Sequence, residues 1–139
     1  MIKISKLLIS LLFIFITITP QKILANQKLK IGLLIPLSKD NQEIGQQIIK
    51  TVRMAINDIN NRDIEIIVKD TKSNPNNTLK SAIELKNENV KIVIGPVFYQ
   101  NLVNLGEVED LIFLSLTNRT IGLPKNVISA GVNLSLIHI

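Results

Sequence analysis

The chain contains no Cys and no Trp, and only one Tyr, four Phe and one His among 139 residues. Without Cys there is no disulfide framework, thiolate zinc site, Cys nucleophile or lipid-bearing cysteine, and His138 has no second imidazole with which to build a His-based metal site. The six Gly show neither the G-x-G-x-x-G nor the G-x-x-x-x-G-K-[ST] spacing that brings a backbone against nucleotide phosphates. Ser38, Ser115 and Thr117 have no nearby His to activate a hydroxyl. Most redox, zinc and triad chemistry is thereby excluded, and the chain reads as a non-enzymatic binding domain with no cofactor or metal, a flavodoxin-shaped enzyme being a distant alternative. Isolated Asp40 and Asp70 at strand ends read as solvated turn residues rather than Mg²⁺ ligands.

Excess charge of one sign is also missing. The formal net charge is +5, but Lys3, Lys6 and Lys22 fall in a stretch without acids, and beyond Ala25 there are 13 basic against 11 acidic residues. That balance gives no electrostatic footprint for nucleic acid. The length suits one domain with one core. The abundance of Ile and Asn, 25 and 15 residues, reads as codon bias of an A+T-rich genome, and the chance Asn-x-Ser/Thr triplets carry no function.

Residues 1–25 divide into a basic start (Met1 to Lys6), an apolar run (Leu7 to Ile18) and a more polar segment ending in Ala25. This is the layout of a secretory signal. The apolar run would make a helix of ~18 Å, short of the ~30 Å hydrocarbon core, so it reads as a cleaved signal rather than an anchor. Cleavage is expected between Ala25 and Asn26, giving a periplasmic product that does not span the membrane.

The remainder alternates between strand and helix signals. Lys30 to Ser38 is a nearly continuous apolar run that suits a strand buried on both faces. From Ile44 the apolar residues fall at 44, 48, 49, 52, 55, 56 and 59, an amphipathic helix ending near Asn60-Asn61. Ile64 to Val68 predicts a second strand closed by Asp70, and Asn74-Pro75 offers an N-cap with proline at the first helical position. A second helix runs to about Asn89, Val90 to Ile94 predicts a third strand, a weaker helix covers Tyr99 to Leu105, and Leu111 to Leu116 predicts a fourth strand. Apolar strands joined by helices imply an α/β fold, a parallel sheet with helices on both faces. Ligands of such sheets bind beyond the carboxyl ends of the strands, so the candidate loops are 38–45, 70–74, 95–101 and 117–120. Phe98 and Tyr99 stand out there among few aromatics. Alternation leaving a strand assigns Phe98 to the core and Tyr99 to a wet, ligand-facing side.

The succession KIGLLIPLS, EIGQQIIKTVRMAINDIN, IEIIVKDTKSNP, VKIVIGPV and LIFLSLTN resembles the first lobe of type I periplasmic solute-binding proteins of the branched-chain amino acid class over residues 29–133. The Pro-Leu-Ser after the first strand, Asn57 to Asn60, Asp70 with Asn74-Pro75, and Ile94-Gly95-Pro96 carry the likeness through their order and spacing. The resemblance implies a two-lobed protein that closes on a small, amino-acid-like ligand and delivers it to an ABC permease. Residues 26–139 are then expected to be an incomplete first lobe, with Asn126 to Asn133 as a strand at the crossing point to a second. The closing LSLIHI resembles translated sequencing adapter, so His138 carries no weight. The implied ligand contacts are Ser38, Phe98, Tyr99, Gln100, Thr117 and Asn118. Where amino-acid binders of this family carry small hydroxyl residues after Gly-Pro, this chain has Phe98-Tyr99-Gln100, which suits stacking and amide hydrogen bonding more than a bare carboxylate. The GLLIPLS and FLSLTN segments are also similar to the related lobe of penicillin-binding protein activators, which engage a peptidoglycan synthase.

Overall fold

The computed structural model describes residues 28–131; the expected signal segment, its expected cleavage point and the closing residues 132–139 lie outside the described residues. The chain runs β1 (Leu29–Ile35), α1 (Gln42–Ile59), β2 (Ile64–Asp70), α2 (Pro75–Asn87), β3 (Ile92–Ile94), β4 (Ile112–Ser115) and β5 (Val127–Ser129). All four pairings are parallel and the strand order is β2-β1-β3-β4-β5. The chain passes from β1 to β2 in one direction and from β2 across to β3 in the other. Right-handed crossovers therefore put α1 and α2 on opposite faces of the sheet.

Local chemistry sets the boundaries. β1 ends at Ile35, three residues before the Ser38 expected from hydropathy, because Pro36 has no N–H to continue the ladder. Its last ladder pair sets Ile35 opposite Asp70. α1 stops where Asn60 turns left-handed (φ 49°) and donates its N–H to the carbonyls of Ile56 and Asn57 at 3.0 and 3.1 Å. α2 starts as expected: Asn74 Oδ1 accepts the N–H groups of Asn76 and Asn77 at 3.0 and 3.2 Å, with Pro75 next in line.

The weak helix expected over Tyr99 to Leu105 is instead two 3₁₀ turns, Tyr99–Leu102 and Leu105–Glu107. Tyr, Asn and Val are poor helix formers, and Asn104 leaves helical backbone at φ −104°, ψ 1°. The strand at the expected crossing point is β5, which reaches β4 without an intervening helix.

The core lies between the sheet and α2. Leu34, Val93 and Phe113 cluster with Ala82 and Leu85 of α2, with Leu102 and Leu105 of the 3₁₀ turns, and with Val90, Val108, Leu111 and Val127. The aromatic centre of this core is Phe113; Phe98, expected there, stays half-buried and outside the cluster. On the opposite face Leu33 and Ile35 of β1 are buried, but the cover thins toward β4 and β5. Only Gly45 of α1 is fully buried, while Ile112 and Ile128 remain 49% and 55% exposed. Gly45 lies so close to the first strand's exit that a Cβ there would sit 1.9 Å from the Pro36 carbonyl oxygen.

Candidate functional site

The strand order reverses beside β1, where the chain first goes left to β2 and later right through β3, β4 and β5. Ligands of open parallel sheets bind at such a switch point, beyond the carboxyl ends of the strands. The loops that leave β1, β2, β3 and β4 form two adjoining hollows at this edge. One, of about 420 Å³, is lined by Phe98, Tyr99, Gln100, Thr117 and Asn118 together with Val97 and Leu116. The other, of about 380 Å³, is lined by Asn41, Ser73, Phe98, Gln100 and Asn101. Phe98 and Gln100 belong to both, so the Phe98 ring is a shared wall.

Backbone geometry builds this edge. At Gly95 φ is +105° and a Cβ would lie 2.1 Å from the Leu34 carbonyl oxygen, so only glycine passes between β1 and β3 and launches Phe98 into the loop. Gly95 N–H donates to the Leu114 carbonyl at 2.8 Å, and the Pro96 carbonyl accepts from Leu116 N–H at 3.0 Å and from the Ser115 hydroxyl at 3.1 Å. Those bonds lock the end of β4 beside the end of β3. Thr117 is nearly buried: its hydroxyl accepts the Arg119 N–H at 3.3 Å and its carbonyl accepts the Ser129 hydroxyl at 2.7 Å. Gln100 and Asn118 are exposed amides, and Tyr99 is 44% exposed.

Five of the six residues picked from sequence thus line one hollow. Ser38 lines neither. It leaves β1 beside Asp70, and Asp70 is no solvated turn residue as its sequence position suggests: its carboxylate accepts the N–H groups of Leu37 and Lys72, both at 2.8 Å. Burial alone would raise the pKa of Asp70, but these two donors, helped by the nearby Ser38 hydroxyl, outweigh it and hold the pKa below the ordinary carboxylate value.

Sequence reasoning named the loops but missed Asn41, Ser73 and Asn101 within them. Asn41 Nδ2 donates to the Ser73 hydroxyl at 3.1 Å, joining the loops after β1 and β2, and Ser73 follows Lys72 in left-handed backbone at φ 50°. Asn101 is 2% exposed, and neither its Oδ1 nor its Nδ2 has a hydrogen-bond partner. Two unsatisfied amide atoms at the base of a hollow are costly, and a bound polar group or water would relieve that cost. Among the described residues, no group of three His, Cys, Asp or Glu side chains gathers to hold a metal ion.

A family model described as periplasmic binding protein matches residues 28–125. The chain belongs to this family. No curated protein sequence matches it. Among solved structures, it is similar to the C-domain of LpoA from Haemophilus influenzae, a regulator of PBP1A, with 27% identity and a TM-score of 0.60 over 75% of this chain and 33% of that one. It is also similar to an ABC-type branched-chain amino acid transporter protein from Rhodopseudomonas palustris, with 18% identity and a TM-score of 0.67 over 78% of this chain and 34% of that one. The isoleucine complex of LivJ from Streptococcus pneumoniae matches with 21% identity and a TM-score of 0.61 over 72% of this chain and 32% of that one. This periplasmic binding protein family chain therefore spans about a third of the length of these structures.

Proposed function

We propose that this chain supplies the first lobe of an exported solute-binding protein, which captures a small amino-acid-like ligand in the periplasm for an ABC permease. The carrying observation is the convergence of Phe98, Tyr99, Gln100, Thr117 and Asn118 on one hollow beyond the carboxyl ends of β3 and β4, next to the switch point between β1 and β3. Two aromatic faces and two exposed amides offer stacking and hydrogen bonding without committing a charge. The buried Asn101 amide lies at the base of the adjoining hollow, and Ser38 lies outside both hollows, its hydroxyl buried beside the Asp70 loop. Export would follow cleavage after Ala25.

The test is a calorimetric and thermal-shift titration of the full mature protein with amino acids. Saturable binding that weakens in Gln100→Ala supports the reading. A second reading, a regulator that engages a peptidoglycan synthase, draws support from the LpoA C-domain, whose 27% identity exceeds the 18% and 21% of the two transport proteins. Stimulation of a purified synthase by the mature protein, with no response to any amino acid, would establish that second role and overturn the first.

A further inference from the structure

On the other side of Tyr99 from this hollow lies a separate pocket of about 420 Å³, walled by Tyr99, Leu102, Val103, Arg119, Leu123 and Pro124. Arg119 is its only charged residue. The guanidinium carbon stands 4.7 Å from the centre of the Tyr99 ring, and Nε donates to the Ile121 carbonyl at 3.0 Å. No ion pair involving Arg119 is present among the described residues. The terminal nitrogens therefore keep their donors free, on a cation held flat by an aromatic face and a backbone carbonyl.

We infer that this pocket binds a small monocarboxylate with an apolar acyl or aryl body, its carboxylate paired with Arg119 and its body against Tyr99, Val103 and Leu123. An arginine fork matches a carboxylate in two parallel hydrogen bonds. The walls are otherwise aliphatic, aromatic or proline, so they favour an apolar body. A zwitterionic amino acid fits poorly, because no acidic side chain lines the pocket to meet its ammonium group. One guanidinium without a second cation also suits a single negative charge better than a phosphate dianion. This inference stands apart from the proposed function, since the pocket shares only Tyr99 with the hollow assigned there.

Tyr99 is the only Tyr and the chain has no Trp, so intrinsic fluorescence reports on this pocket and on the hollow that shares Tyr99, and the variants separate the two. The experiment titrates the full mature protein with benzoate and with hexanoate, using benzamide and leucine as controls. Both acids should change the Tyr99 emission saturably, and benzamide should not. Arg119→Gln should weaken benzoate binding at least ~10-fold, the loss expected for a charge-assisted hydrogen bond, with far-UV circular dichroism unchanged. Val103→Glu, at a position 71% exposed, should do the same by placing a like charge in the pocket, and covers the case in which the arginine variant misfolds. Gln100→Ala should leave benzoate binding intact while weakening any ligand of the neighbouring hollow. Equal responses to benzoate and benzamide, no response to either acid, or benzoate binding lost in Gln100→Ala but kept in Arg119→Gln would overturn the inference.

Discussion

The Asp70 carboxylate accepts the Leu37 N–H at 2.8 Å, so the last residue of β2 holds the loop that leaves β1. The same oxygen accepts from Lys72, and Ser81 of α2 donates its hydroxyl to the Asp70 carbonyl at 3.3 Å. One residue therefore ties two loops at the carboxyl edge of the sheet to the helix behind them.

Replacing Asp70 by Ala should cost about 1–3 kcal/mol in chemical denaturation, because two backbone donors lose a charged acceptor. Its pKa is depressed in the fold, so its contribution is present above the unfolded-state pKa and is lost as pH falls through the lower folded value. The wild type should lose this increment in acid. The Ala variant should show a correspondingly flatter stability profile there, and equal profiles would refute the assignment.

Gly95→Ala should destabilise the chain by about 2–4 kcal/mol, since the new Cβ meets the Leu34 carbonyl oxygen and the backbone is left-handed. Thermal melts against an exposed glycine control, Gly106→Ala, check this. The control position leaves a Cβ at ordinary distance, 3.4 Å, from Pro124.

Tyr99→Ala should alter ligand response while leaving stability within about 1 kcal/mol of wild type, because the ring is nearly half exposed. Phe113→Ala should do the reverse, opening a cavity that costs about 3–5 kcal/mol. Phe98→Ala should fall between the two, and paired melting and binding curves for the three variants would place it.

Lys69 reaches Glu88 at 2.8 Å and Glu84 at 3.2 Å, and hydrogen bonds to these two carboxylates raise its pKa. Its raised folded pKa means that the contribution is complete below the unfolded-state value and fades as pH rises through the folded one. The carboxylates are solvent-exposed, so Lys69→Met should cost less than about 1 kcal/mol at neutral pH, measured by urea unfolding.

Much of the architecture was legible because its signals are local. Continuous Ile/Leu/Val runs, the 3.6-residue periodicity from Ile44 to Ile59, and Asn74-Pro75 each act within a few residues and specify β1, α1 and the start of α2. The two 3₁₀ turns that replace the expected helix over Tyr99 to Leu105 were not legible, since apolar spacing says nothing about the poor helix propensity of Tyr99, Asn101, Val103 and Asn104. The candidate loops followed from the topology of parallel sheets, which is why five of the chosen residues meet in one hollow. What sequence could not supply was pairing across loops. Asp70 with Leu37, Asn41 with Ser73, and Arg119 over Tyr99 are separated by 20 or more positions and become neighbours only when the strands align.

The Ser129 hydroxyl bond to the Thr117 carbonyl, with the Ala130 N–H bonded to the Ser115 carbonyl at 2.8 Å, gives the molecule a mechanical linkage. Tension applied to the chain beyond Gly131 loads these two bonds first, in shear against the end of β4. It would reach Thr117 and Asn118 before reaching β1 or β2. The rim of the hollow is thus wired to whatever pulls on β5, and so, through Val127, is the core against α2.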